Sequence, residues 1–243
     1  MKQSGFYKIS QRYVYLVQDI GGTYSDNKER PVYCCIQDKD NPQNILGDTT
    51  MHSLTTKGII VNGASGTGKT TLGRALAKQL GFPHLDLDDY YYPSQDEVGS
   101  YRFAELRPRN KIIEHLKNDL SKHPYFVMSG TIGSILWDFV NPLFDLAVLL
   151  FVPTETRLER VKARAFERYG ERVLEGGDLY NNHQEFYNHI QQYDIGYHSV
   201  SLQRHEQWAK EIHCPVIRVD GTRAIIENSM LIAEQYQSIQ HSD

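Results

Sequence analysis

Gly63-Ala-Ser-Gly-Thr-Gly-Lys-Thr70 is a complete G-x-x-x-x-G-K-[ST] loop, and its flanks decide how it folds. The apolar run Gly58–Val61 precedes it. A helical pattern, Thr71-Leu-Gly-Arg-Ala-Leu-Ala-Lys-Gln-Leu80, follows, giving the strand–loop–helix context that makes the motif a phosphate cradle. Glycines at 63, 66 and 68 let the backbone turn tightly enough for successive N–H groups to face one anion. The N-terminus of the following helix adds its positive dipole end. Gly63, Ala64, Ser65, Gly66, Thr67, Gly68, Lys69, Thr70 and Thr71 are therefore expected to bind a nucleoside triphosphate. Lys69 would reach the β- and γ-phosphates, and Thr70 would offer its hydroxyl to Mg²⁺.

Outward from the loop, strand and helix patterns alternate from Lys57 onward, the signature of an α/β fold with a mostly parallel sheet. The expected strands are Gly58–Val61, Gly81–Leu87, Tyr125–Met128, Asp145–Val152 and Pro215–Val219. Asp145–Val152 is the most apolar run and reads as fully buried. Helices are expected over 70–80, from Arg109 to about Ser121, over 154–169, through most of 180–213 and after Thr222, with a loop at 170–178. Residues 1–56 form an N-terminal extension whose strand-like runs, Tyr13–Val17 and Pro31–Ile36, are too short to bury a core alone. It is either an accessory β element or an upstream extension. The domain proper is 57–243.

Composition excludes several classes. The 243 residues carry a net charge of −4, which gives no field for nucleic acid or anionic membrane. No apolar run approaches the roughly 20 residues of a membrane span, and the N-terminus lacks the apolar core of a signal peptide. Three cysteines, two of them adjacent, supply neither a disulfide framework nor a C-x-x-C pair; a cytoplasmic protein is expected. Ten histidines match no metal-ligand spacing.

Carboxylates and arginines supply the remaining chemistry. Asp86 and Asp88 end the second strand, at the sheet edge where open α/β folds bind ligands, and strand alternation puts both on one side. They are suited to hold Mg²⁺ or to orient an acceptor hydroxyl, or else to cap a helix; Asp89 is the expected cap. Arg102, Arg107 and Arg109 follow in an irregular stretch. Arg157, Arg160, Arg164 and Arg168 recur at helical spacing, interleaved with glutamates, as either a phosphate-clamping lid or a salt-bridged solvated helix. Tyr90, Tyr91 and Tyr92 either line an acceptor pocket or pack beneath that stretch.

The set Gly63–Thr70, Asp86-Leu-Asp88, Ser129-Gly130, the Arg-rich 157–172 and Asp220-Gly-Thr222 resembles the adenylate kinase-like small-molecule kinases, shikimate kinases among them. Pro142-Leu-Phe-Asp145, Arg157-Leu-Glu-Arg160, Gly176-Gly-Asp178 and His205-x-x-Trp208 resemble more narrowly a bacterial group of uncharacterised P-loop proteins, labelled AAA-family or adenylate kinase-like. The resemblance covers 57–243. It implies a five-stranded parallel sheet of order 2-3-1-4-5 flanked by helices, an Arg-rich lid, ATP and Mg²⁺, and a small-molecule acceptor (a nucleoside, nucleotide or polar metabolite). A monomer or homodimer is expected. Residue by residue, it makes Lys69, Asp88, Arg160 and Arg164 catalytic. Arg157 and Asp220, Gly221 and Thr222 would face the nucleotide. Asp86, Asp88, Arg102, Arg107 and Arg168 would face the acceptor, and Thr70 and Asp86 the metal. The third strand departs from the pattern by ending in Ser129-Gly130 without a carboxylate. Two alternatives remain: an ATP-gated regulatory module, and a toxin- or defence-type kinase with another acceptor.

Overall fold

The computed structural model describes residues 6–8, 13–16, 35–38, 56–92, 107–133, 136–196 and 200–241; Arg102 and most of the N-terminal extension lie outside them. The chain divides into two compact units, with a boundary between Ser53 and Leu54. In the first, β1 (Phe6–Lys8), β2 (Tyr13–Leu16) and β3 (Cys35–Asp38) form an antiparallel sheet with Phe6 opposite Leu16 and Tyr13 opposite Asp38. β1 was not expected, because three residues are too few to display a period. Of the run expected at Pro31–Ile36, Cys35 and Ile36 lie in β3, which continues to Asp38, and 31–34 lie outside the described residues.

The second unit carries β4 (Lys57–Gly63), α1 (Lys69–Leu80), β5 (His84–Asp86), α2 (Leu87–Tyr91), α3 (Arg109–Leu120), β6 (Tyr125–Ser129), α4 (Trp137–Val140), β7 (Phe144–Phe151), α5 (Thr154–Tyr169), α6 (Tyr180–Gln191), α7 (Leu202–Glu211), β8 (Val216–Asp220) and α8 (Ile225–Gln240). Its sheet is wholly parallel, in the order β5-β6-β4-β7-β8, which is 2-3-1-4-5 counted from the loop strand. Helices cover both faces, so the strands read as continuous apolar runs. Alternation divides them: Ile59, Val61, Val127, Leu146, Val148 and Leu150 pack under α1 and α8. Ile60, Phe126, Met128, Ala147 and Leu149 pack under α2, α3, α4 and α7. A third, smaller cluster of Val161, Tyr187 and Ile190 holds α5 against α6.

Helix ends follow local chemistry. Gly81 closes α1 at φ 71°, its N–H returning to the Ala77 carbonyl. Pro153 and Gly170 bracket α5. Ser201 caps α7, its hydroxyl accepting from the Arg204 N–H. Because α7 leads by a short link into β8, which is parallel to β7, its N-terminal turn lies at the carboxyl edge of the sheet. Among the described residues, no helix is long and apolar enough to cross a membrane.

Candidate active site

β4 ends by delivering Gly63 into the loop, and the side chain of Asn62 holds that exit, its Oδ1 accepting from the Gly63 N–H at 2.7 Å. Thr67 folds back onto the Ala64 carbonyl, 2.9 Å from its hydroxyl. Gly66 and Gly68 take φ of 85° and 91°, left-handed conformations that L-residues adopt only with strain. Gly68 is the N-cap of α1, so Lys69, Thr70 and Thr71 form its first turn, where the helix N-terminus attracts anions.

Lys69 is half-buried here. Burial lowers its pKa from the ordinary lysine value; Asp88 and then Asp86 raise it, while Arg164 and Arg157 lower it further. Asp88 is the reciprocal case. Burial raises its carboxyl above the usual range; Lys69 opposes that shift most strongly, Asp86 and then Asp89 add to it, and Arg164 opposes it. The structure thus brings Lys69, Asp86, Asp88 and Arg164 into one electrostatic cluster at the carboxyl edge.

Local geometry corrects the expectation for the two aspartates. The second strand stops at Asp86, and α2 begins at Leu87, so Asp86 and Asp88 do not share a strand face. Asp86, not Asp89, is the N-cap: its Oδ1 accepts from the Asp88 N–H at 3.2 Å. Gly130 permits this short helix to dock at the end of β6. A Cβ there would lie 2.7 Å from that of Leu87, and its φ is 138°. Ser129, for which the sequence offered no role, is fully buried, with its Oγ 2.9 Å from His84 Nε2. That contact ties β5 to β6 where a carboxylate was missing. Tyr90 and Tyr91 are both buried: Tyr90 donates to Asp119 at 2.9 Å and lines an open cavity, whereas Tyr91 packs, accepting from the Gly133 N–H at 2.8 Å. A cavity of about 380 Å³ opens between β5, α2 and α3, bordered by Asp86, Asp89, His115 and Asp119.

The arginines divide. Arg157 was expected to face the nucleotide, but it is 1% exposed and held by protein. Its Nε donates to the Val152 carbonyl at 3.0 Å, its fork reaches Thr154 Oγ1 and the Ser65 carbonyl, and its guanidinium lies 4.3 Å from the Tyr193 ring centroid. The cause is position: Arg157 lies in the first turn of α5, directly behind the loop. Arg160 reaches the Gly221 carbonyl at 3.3 Å and the Gly66 and Thr67 carbonyls at 3.5 Å, joining the phosphate loop to the Asp220–Thr222 turn. Arg164 is exposed and acts on Lys69 and Asp88 through charge. Arg168 stacks on its neighbour Tyr169 at 5.4 Å and is not drawn into the cluster by any described contact. Arg107, expected at the acceptor, instead donates to the Asp89 and Tyr90 carbonyls, satisfying the C-terminal end of α2.

Asp220 turns the chain into α8 through an Asx turn, accepting from the Thr222 N–H at 2.8 Å and its hydroxyl at 2.7 Å. These bonds hold its carboxyl below the usual range. Gly221 has no room for a side chain: a Cβ would lie 2.7 Å from Val152 Cγ2 and 3.0 Å from the Thr67 carbonyl oxygen. The loop after 170 is closed by a bidentate Arg172–Asp178 pair at 2.9 and 2.7 Å. The reading of the residues gave no role to Tyr193 or His205. Both pack behind the loop, with the Tyr193 hydroxyl 2.7 Å from His205 Nδ1. The i, i+3 pair His205 and Trp208 on a buried face was the available signal.

The family model described as AAA domain matches residues 59–188. The chain is similar to the uncharacterized protein YqaC of Bacillus subtilis (strain 168), at 37% identity over 173 residues, which are 70% of this chain and 92% of that protein. It is similar to a cytidylate kinase of Pyrococcus abyssi, at 30% identity over 137 residues, 51% of this chain and 74% of the relative. A solved shikimate kinase from Acinetobacter baumannii aligns at 19% identity with a TM-score of 0.47, over 76% of this chain and 94% of its own. By its phosphate loop, its sheet order, the family-model match and the similarity to YqaC and to the cytidylate kinase, the chain belongs to the AAA domain family, within the superfamily of P-loop small-molecule kinases.

Proposed function

We propose that the protein is an ATP-dependent phosphotransferase that moves the γ-phosphoryl group to a hydroxyl of a small polar acceptor. The observation that carries this reading is the Lys69–Asp88–Asp86 cluster at the mouth of the loop. A half-buried ammonium with a lowered pKa gains from an arriving polyphosphate. A carboxylate with a raised pKa, on the acceptor side, is a better proton acceptor at neutral pH than an exposed aspartate. Phosphoryl transfer asks for these elements and little else: positioning, charge neutralisation and a base near the nucleophile.

The residues fit a hard divalent cation. The Thr70 hydroxyl in the first turn of α1 and the Asp86 carboxylate are oxygen donors of the kind Mg²⁺ takes when phosphates complete its shell. When bound, Mg²⁺ neutralises phosphate charge. The chain does the rest. Backbone N–H groups of the loop other than those of Gly63 and Thr67 hold the phosphates, and Lys69 anchors the transferring group. Asp88 orients the acceptor hydroxyl and takes its proton, and Arg164 adds positive charge from the α5 side. The cavity beside Asp86 is lined by neither Lys69 nor Asp88 and has no part in this arrangement. The adenine would border Asp220–Thr222.

The test is ADP release from Mg·ATP, with and without pools of nucleosides, nucleotides, sugars and hydroxy acids, with Lys69→Ala as control. Stimulation by one pool, lost in the variant, supports the reading. A rate that no pool stimulates, or one retained by a folded Lys69→Ala protein, overturns it.

A further inference from the structure

Three buried side-chain donors near the carboxyl edge have no hydrogen-bond partner among the described residues: Asn62 Nδ2, His205 Nε2 and Trp208 Nε1. An orphaned buried donor costs free energy, so three on one face of one sheet call for a cause. Asn62 follows Ile60 by two residues, which places it on the α2/α3/α7 face; in the sheet it pairs with Leu149 of β7, against which α7 packs. His205 and Trp208 are three residues apart on the buried side of α7, and His205 lies in its first turn, at the ligand-binding edge. The orientation of Asn62 is set by the Gly63 N–H on its Oδ1, which leaves the amide NH₂ as the free end.

The state of His205 follows from its contacts. Its ring is 2% exposed, and Nδ1 faces the Tyr193 hydroxyl at 2.7 Å. Among the described residues that hydroxyl has no other acceptor, and Arg157 occupies the face of its ring. The arrangement that satisfies Tyr193 has its O–H donating to Nδ1, which puts the imidazole proton on Nε2. Burial, then the charges of Lys69 and Arg157, push the His205 pKa down to about 4 against a pull upward from Glu206, so the ring is neutral at pH 7. The result is a rigid, uncharged donor beside two cations. A negatively charged oxygen accepts from these donors and also answers the two cations; a hydroxyl accepts but carries no charge, and an ammonium does neither.

Building on the phosphotransfer reading, we propose that His205 is a phosphoryl-binding residue: its Nε2–H donates to an oxygen of the phosphoryl group held beside Lys69, with Tyr193 as its positioning residue and Asn62 as a second donor. A neutral donor adds a contact without placing a third positive charge next to Lys69 and Arg157, where repulsion would work against it. The phosphoryl oxygen has two possible sources, the γ-phosphate of the nucleotide or a phosphate carried by the acceptor.

The experiment compares wild type with His205→Asn, whose amide keeps a partner for Tyr193 but does not reach the Nε2 position, and His205→Gln, whose amide reaches it. Titration calorimetry with Mg·ADP and with the Mg complex of β,γ-imido-ATP reads the first source. Protection of the Mg·ADP-bound protein by inorganic phosphate in thermal melts reads the second. A hydrogen bond to a charged group corresponds to about 10- to 100-fold in affinity. His205→Asn is expected to lose about that factor for β,γ-imido-ATP with ADP affinity unchanged, and His205→Gln to recover most of it. If both nucleotides bind His205→Asn normally but phosphate protection disappears, the contact belongs to an acceptor phosphate. Equal weakening of ADP and β,γ-imido-ATP, or no change in any arm, overturns the proposal while leaving phosphotransfer intact. Failure of wild type to bind either nucleotide overturns both.

Discussion

Gly66 and Gly68 take nearly the same left-handed backbone, φ 85° and 91°, in opposite surroundings. A Cβ at Gly68 meets nothing within 4 Å, whereas one at Gly66 would sit 2.5 Å from the Arg157 carbonyl oxygen and 3.0 Å from its Cα. Alanine at either position incurs the left-handed penalty, about 1–2 kcal/mol. Only at Gly66 must backbone also move, because the neighbour is the main chain of α5 rather than the end of a flexible side chain. Overpacking of that kind adds about 1–3 kcal/mol. Gly68→Ala is thus expected to cost about 1–2 kcal/mol and Gly66→Ala about 2–5 kcal/mol. Urea unfolding followed by tryptophan fluorescence measures the difference cleanly, since both tryptophans of the chain, Trp137 and Trp208, belong to the unit that holds the loop. Equal losses, or a larger loss at Gly68, would refute the idea that α5 braces the loop through direct backbone contact.

Asp88→Asn is expected to reduce turnover far more than nucleotide affinity. Because burial raises the Asp88 pKa, the acid limb of the wild-type rate profile should fall above the usual carboxylate range, and the variant should lack it. The linked stability has a definite sign: the folded state holds this proton more tightly, so stability falls as pH rises from the unfolded value of 3.8 through the raised folded value, and melts of the variant should show less of that fall. Arg157→Met should lower stability by about 2–4 kcal/mol by leaving buried carbonyls unpaired, and Arg157→Lys should not restore it, since one ammonium cannot replace the planar fork; urea melts decide. A chain beginning at Leu54 is expected to fold and bind Mg·ATP; an unfolded circular dichroism spectrum would mean the first unit is needed for the second.

The loop, the sheet and α5 were legible because each is written in local chemistry. Pro153 and Gly170 bracket α5, and the apolar runs of β4 and β7 have no reading but a buried strand. What failed was local too, but too short to show a period. β5 is three residues and α2 five, so strand alternation was carried past Asp86 into a helix, and the capping role went to the wrong aspartate. α4, with Pro142 in the turn behind it, went unnoticed for the same reason. Arg157 and His205 were beyond reach on different grounds. Their surroundings are set by Tyr193, which lies 36 and 12 residues away in the chain, and no spacing rule links them.

The division among the α5 arginines bears on how the site works. Arg157 and Arg160 fasten the first two turns of α5 to the carbonyls of the loop and of Gly221. Arg164, one turn further on, is left exposed to act on Lys69 and Asp88. A helix anchored this way cannot swing as a free lid at its N-terminal end without breaking contacts to the phosphate cradle itself. The small core of Val161, Tyr187 and Ile190 packs α6 against this same anchored stretch of α5. The anchored part instead fixes the distance between the loop and the charge that faces it, which is what electrostatic preorganisation requires. Tyr193 extends the same frame in the other direction, stacking on Arg157 with its ring and holding His205 with its hydroxyl. Loop, guanidinium, phenol and imidazole form one continuous chain of contacts, so a shift at the phosphate cradle is felt at His205 without any intervening mobile element.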